Sequence, residues 1–128
     1  MKNLSAANIS ALNQTQVSAL SSTQLGALTA TQIGGLTATD FAELSSTQVQ
    51  NLTATQIGAL ETTDLQALTT TVLDGFTSTQ IKGLSATQVG DFTLAQMQSL
   101  ADTQIAAFST TQIKGVEVGD FAVLTTTQ

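Results

Sequence analysis

The side chains able to do chemistry are few, and their types limit the reactions open to the chain. Nine carboxylates and three lysines are the only charged groups in 128 residues, giving a net charge of −6, and Arg, His, Cys, Trp and Tyr are absent. Without His or Cys there is no ligand set for a zinc finger or a haem, no thiol nucleophile, no Ser-His-Asp relay and no disulfide. Carboxylates could act as an acid and base or hold calcium, but both tasks need particular spacings. Asp40, Asp64 and Asp120 stand at one place in a repeat, and Glu43, Glu61, Asp74, Asp91, Asp102 and Glu117 lack the spacing of an EF-hand loop or a calcium β-roll. No catalytic residue, no metal and no cofactor are therefore expected. Lys2, Lys82 and Lys114 cannot supply the cationic footprint that phosphates demand, and no Tyr or Trp offers a stacking platform, so nucleic acid is not expected as a partner. No apolar run reaches the roughly 18 residues of a membrane span, and membrane insertion is not expected either.

The hydroxyl groups remain. Thr-x-Thr recurs as Thr29 with Thr31, Thr37 with Thr39, Thr53 with Thr55, Thr69 with Thr71 and Thr77 with Thr79, usually around a small residue. On a strand this spacing would turn both Thr outward and the small residue inward. Such a stacked surface resembles the ice-binding face of Thr-x-Thr β-solenoid antifreeze proteins, and ice or another ordered surface is the ligand that the resemblance implies. The plainer expectation is that these hydroxyls serve helix N-termini or a hydrogen-bond ladder between layers.

The elements that must hold these residues follow from an eight-residue repeat. Apolar residues occupy two lattices of period eight, one from Leu4 through Leu12, Leu20 and Leu28 to Leu124, the other from Ile9 through Val17, Leu25 and Ile33 to Phe121, and neither lattice has a polar member. Fifteen full octads fill 5–124 without insertion or deletion, flanked by half-octads at 1–4 and 125–128, so the whole chain reads as one octapeptide-repeat solenoid. Steps of five and three between the lattices are both odd, which would place successive anchors on opposite faces of a strand. In one continuous helix the stripe would drift by about 80° per octad. The chain must change direction once in every repeat.

Polar positions mark where. The first octad position is Ser, Thr or Asn in twelve of fifteen copies and the fourth is Gln, Asp or Asn in fourteen, the pattern of a capping box. In Leu28-Thr29-Ala30-Thr31-Gln32-Ile33, Thr29 would cap the helix, Gln32 would reach back to the Thr29 amide, and Leu28 and Ile33 would form the hydrophobic staple. A helix this short is marginal alone and must be held by stacking. The expected fold is an all-α repeat solenoid of short capped helices, one per eight residues. Two helices per coil are favoured because Phe76, Phe92 and Phe108 recur every sixteen residues, which implies about eight coils and a length of roughly 70 Å. A Thr-x-Thr β-solenoid is the alternative. Glycines such as Gly34, Gly58, Gly83 and Gly115 fall at octad positions six and seven, where they would let neighbouring backbones approach and give helix C-termini a left-handed residue.

The octad Leu-Thr-Ala-Thr-Gln-Ile-Gly-Ala, as at 52–59, resembles the Leu-Thr-x-x-Gln-Ile/Val-x-Ala-Leu arrays of long repetitive bacterial proteins that are secreted or surface-exposed and without assigned function. Nearly the whole chain carries the pattern, with departures at Val72, Leu94, Ala95, Asp102 and 117–119. The resemblance implies a structural repeat segment, a spacer or scaffold in an adhesin-like protein at the cell surface. End-to-end self-association is the partner expectation, because an uncovered coil exposes Leu and Phe.

Overall fold

The computed structural model describes residues 5–128; the half-octad 1–4 lies outside the described residues. Among them are fifteen short helices and no strand. The first coil holds α1 (Ala6–Ser10), α2 (Gln14–Ser18) and α3 (Ser22–Gly26), and the second α4 (Ala30–Ile33), α5 (Ala38–Ala42) and α6 (Ser46–Gln50). The third holds α7 (Ala54–Ile57), α8 (Thr62–Ala67) and α9 (Thr70–Asp74), and the fourth α10 (Ser78–Gly83), α11 (Ala86–Gly90) and α12 (Leu94–Ser99). The last consists of α13 (Asp102–Ile105), α14 (Thr110–Ile113) and α15 (Val118–Phe121).

Each helix starts where the octad places a cap. Thr53, in extended backbone at φ −73° and ψ 157°, accepts from the Gln56 amide at 3.2 Å, and the Gln56 side chain accepts from the Thr53 amide at 2.7 Å. The same reciprocal box closes α1 to α7, α10 to α12 and α14. Where the sequence departs, the box opens. Glu61 makes no cap bond, Val72 offers no acceptor to Thr69, and Ala101 has no hydroxyl, so α13 keeps only the Gln104 half.

The helices also stop for a local reason. The residue at octad position eight and the next cap both lie in the extended region, as at Leu68 (φ −61°, ψ 136°) and Thr69 (φ −67°, ψ 152°), so two extended residues form the corner. No described residue has positive φ, glycines included. The left-handed C-caps expected at glycine are thus corrected: Gly58, at φ −66° and ψ −12°, is right-handed, and what Gly34, Gly58, Gly83, Gly90 and Gly115 allow is close approach of a neighbouring coil's backbone.

Every helix packs on the third helix after it, α1 on α4, α2 on α5 and so on to α12 on α15. A coil therefore contains three helices and 24 residues, not two helices and sixteen, and the fold is an all-α solenoid of five coils rather than eight. With layers spaced like packed helices it is about 45 Å long, not 70. The β-solenoid alternative falls at all five Thr-x-Thr pairs. Thr29, Thr37, Thr53, Thr69 and Thr77 are N-caps. Thr31, Thr39, Thr55, Thr71 and Thr79 are each the second residue of the helix that follows, and none of the ten belongs to a strand. The physical reason is the cap itself: once the first Thr binds the amide three residues on, the backbone of the second is already helical.

Both lattices point to one axial core. Ile9, Val17, Leu25, Ile33, Phe41, Val49, Ile57, Leu65, Leu73, Ile81, Val89 and Met97 are fully buried, and the position-eight residues from Leu28 to Leu100 nearly so. They form a single continuous cluster. Burial fails at the C-terminal end, where Ile113 is 38% exposed and Phe121 47%.

Candidate functional site

Three helix columns give the solenoid three faces, and the threonines divide among them. Thr29 and Thr31 belong to α4, Thr53 and Thr55 to α7, and Thr77 and Thr79 to α10, successive rungs of one column. Thr37 and Thr39 belong to the α5 column, and Thr69 and Thr71 to the α9 column. The structure therefore brings together three of the five pairs; the single array of ten is corrected to a three-rung column that ends at Thr79, with Thr39 and Thr71 on other faces. All ten residues are exposed.

Within a pair the two hydroxyls differ. That of Thr53 accepts from the Gln56 amide and donates to Gln56 Oε1 at 3.0 Å. Those of Thr31, Thr39, Thr55, Thr71 and Thr79 face solvent and have no partner among the described residues. A third-position threonine thus builds no ladder between coils, and nothing in the packing explains why Thr is so uniform there.

The ladder between coils is made by glutamine. Gln80 Oε1 accepts from the Thr77 amide at 2.8 Å, completing its own cap, while Nε2 donates to the carbonyls of Val49 at 2.6 Å and Leu52 at 2.7 Å. Those two carbonyls end α6 and form the corner before α7, the helix on which α10 rests. One side chain thus satisfies orphan donors at one helix start and orphan acceptors at another helix end. Gln48, Gln56, Gln88, Gln96, Gln104 and Gln112 repeat the reach across one coil, with bonds of 2.6–2.9 Å to the position-eight carbonyl 28 residues earlier. All are buried.

The signal for this ladder lies in the residue type. A capping box accepts Glu or Gln at this place, and the helix dipole favours the anion, yet ten octads use Gln and none uses Glu. An anion can close the box but cannot donate to a carbonyl.

Residues 57–94 match the family model of the ALTTAQ repeat. No curated protein and no solved structure matches the chain. The matched stretch covers α8 to α11, and within it Ala67-Leu68-Thr69-Thr70-Thr71-Val72 runs across a corner. In an octad of this chain such as that of Thr77 and Gln80, the preceding position-eight residue anchors the core and supplies the corner carbonyl, the Thr caps, and the Gln joins that cap to a corner one coil below.

Departures from Gln at the fourth octad position break the ladder. Asp40, Asp64 and Asp120 have no donor for the Leu12, Leu36 and Phe92 carbonyls, and Val72 has none for Leu44. For Asp64 the backbone at Glu61 and at Ala38, the latter at the start of α5 beneath it, only partly offsets the loss of solvent around the carboxylate. Burial, and next the adjacent Glu61, push its carboxyl above the usual value. A raised folded-state pKa gives stability that is present below the unfolded pKa and lost as pH rises through the folded one. Acidification from neutrality toward pH 4 should therefore stabilise the protein at this site. Asp64→Gln should raise the melting temperature at pH 7 and flatten that pH dependence; a melting temperature lower than wild type at neutral pH would contradict the ladder assignment.

No group of three or more metal-ligating side chains converges among the described residues. No described helix is long and apolar enough to cross a membrane. A shallow, open groove runs between α11 and α14, lined by Thr87, Asp91, Thr111, Lys114 and Glu117.

Proposed function

We propose that this chain is a non-enzymatic structural repeat segment, a length-setting spacer or scaffold within a bacterial surface or secreted protein. The observation that carries the reading is the glutamine ladder. Each ladder Gln ties one coil to the coil below through buried bonds, so coils add along one axis in fixed register. An axial core shared only between neighbouring layers supports the same reading, since length then grows by repetition without any change of cross-section. The absence of Cys and the scarcity of Lys suit an exported protein, as does the resemblance to repetitive surface proteins.

Small-angle scattering tests it directly. The chain should have a longest dimension of about 45 Å, and duplication of residues 53–76, one full coil, should add about 9 Å at constant cross-section. Lateral growth, or no growth, would overturn the spacer reading. Activity in an ice-recrystallisation assay would instead place the function on the threonine rungs of α4, α7 and α10.

A further inference from the structure

We propose that the chain carries a hinge between its second and third coils, closed by acid: α8 and α9 lift away from α5 and α6 while α7 stays fixed on α4. The inference goes beyond the spacer reading and stands without it. Two successive rungs of the ladder are missing at this place. Gln56 of α7 donates to the Leu28 carbonyl and Gln80 of α10 to that of Leu52, both at 2.7 Å, but the fourth-position residues between them are Asp64 of α8 and Val72 of α9. Neither has an amide, so the Leu36 and Leu44 carbonyls lack the donor that Leu28 and Leu52 have. The same two helices also begin with incomplete boxes: Glu61 makes no cap bond at α8, and Val72 returns none to Thr69 at α9.

From above, the third coil is held at every corner. Gln88 reaches the Leu60 carbonyl at 2.7 Å, Gln96 that of Leu68 at 2.9 Å and Gln104 that of Phe76 at 2.8 Å, and Gln66 of α8 donates upward to the Asp91 carbonyl at 2.9 Å. The third coil therefore moves with the fourth. The α4/α7 side is the pivot, tied by Gln56 and packed so closely that a Cβ on Gly34 would lie 2.9 Å from the Ala59 carbonyl oxygen. Charge supplies the control. Helix α8 packs on α5 below and α11 above, and the ionisable groups on or flanking these three are Glu61 and Asp64, Asp40 and Glu43, and Asp91, with no lysine among them. Burial, and next Glu61, push the Asp64 carboxyl above its usual value. Opening returns that carboxyl to water, so the closed form binds the proton more tightly. Closure is then favoured below the open-form pKa and lost as pH rises through the closed-form one.

The chain has no cysteine, so spin labels on introduced cysteine pairs can measure the hinge by electron-electron distance. Labels at the exposed Thr39 and Thr63 span α5 and α8, those at Thr31 and Thr55 span the pivot, and those at Thr63 and Thr87 span α8 and α11. At pH 7 the Thr39 and Thr63 pair should show a second, longer distance that the other two pairs lack, and its share should fall by more than half at pH 4. Asp64→Gln with Val72→Gln restores both donors and should abolish the longer distance at pH 7, with the helical dichroism spectrum unchanged. Asp64→Asn, close in size to the parent, removes only the titrating group and should leave the share of the longer distance the same at both pH values. A single short distance at pH 7, an equal long component between Thr63 and Thr87, or its persistence in the double variant would each overturn the hinge. A long component that ignores pH in the parent, or still follows pH in Asp64→Asn, would overturn closure by acid at Asp64.

Discussion

Gln80→Glu should destabilise the fold by about 3–5 kcal/mol at pH 7, on the scale of an uncompensated buried charge. The substitution is nearly isosteric and keeps the capping box, since one carboxylate oxygen still accepts from the Thr77 amide and hydroxyl. The other oxygen takes the place of Nε2, facing the carbonyls of Val49 and Leu52 at 2.6 and 2.7 Å, at a residue only 2% exposed. Three oxygens then meet without a proton between them. Protonation supplies one, so the introduced carboxyl has a folded-state pKa above its unfolded value of about 4.3. By linkage the loss grows as pH rises through the folded pKa and shrinks below the unfolded one. Urea unfolding at pH 7 and pH 4 should show a large deficit at the first and a small one at the second. Gln24→Glu makes the same chemical change where Nε2 has no partner, and should stay within about 0.5 kcal/mol of the parent at both values. Equal losses at both positions would mean that capping, and not the ladder, explains the glutamines.

How much of this is legible in the sequence depends on the range of the interaction. Caps and staples act within five residues, so Thr53, Gln56 and Ile57 identify themselves, and the corner is implied once both lattices are seen. The number of helices per coil depends on the angle at each corner, and identical octads give no local sign of it. Phe76, Phe92 and Phe108 point to the wrong number: they close the octads of α9, α11 and α13, which stand in three different columns, so their interval of sixteen marks no layer. Better markers are the separations of Gly34 from Gly58, of Gly58 from Gly83, and of Gly90 from Gly115, each 24 or 25 residues, one coil. The second half of each Gln bond is hidden because its acceptor is a backbone carbonyl, which no sequence pattern names. Thr39 and Thr79 show why the threonines make no strand-borne surface. Each follows a cap by two residues, at Thr37 and Thr77, and so lies in the first turn of a helix, where the alternation of a strand has no meaning.

Those glycine separations lead to an effect whose sign reverses between two positions. In right-handed helical backbone, Gly→Ala ordinarily stabilises by about 0.4–1 kcal/mol, through the entropy of the unfolded chain. Gly119 meets that condition, with a non-positive φ and no atom within 4 Å of an added Cβ. Gly119→Ala should therefore stabilise by about that amount. Gly83 has the same permissive backbone but sits where α10 presses on α7. A Cβ there would lie 2.8 Å from the Cβ and carbonyl carbon of Ala54, and closer still to its carbonyl oxygen. These are mostly backbone atoms of the coil beneath, and no side-chain rotation relieves the contact. Gly83→Ala should cost about 1–3 kcal/mol, the scale of overpacking in a close-packed interior. Gly58 lies against the Gly83 carbonyl from the other side, so the double substitution should be worse than the sum of the singles. Thermal unfolding of the single variants and the double separates the two roles of glycine. If Gly83→Ala stabilised like Gly119→Ala, the coils would stand further apart than a 24-residue stack permits, and the ladder bonds from Gln80 to Val49 and Leu52 could not span the gap.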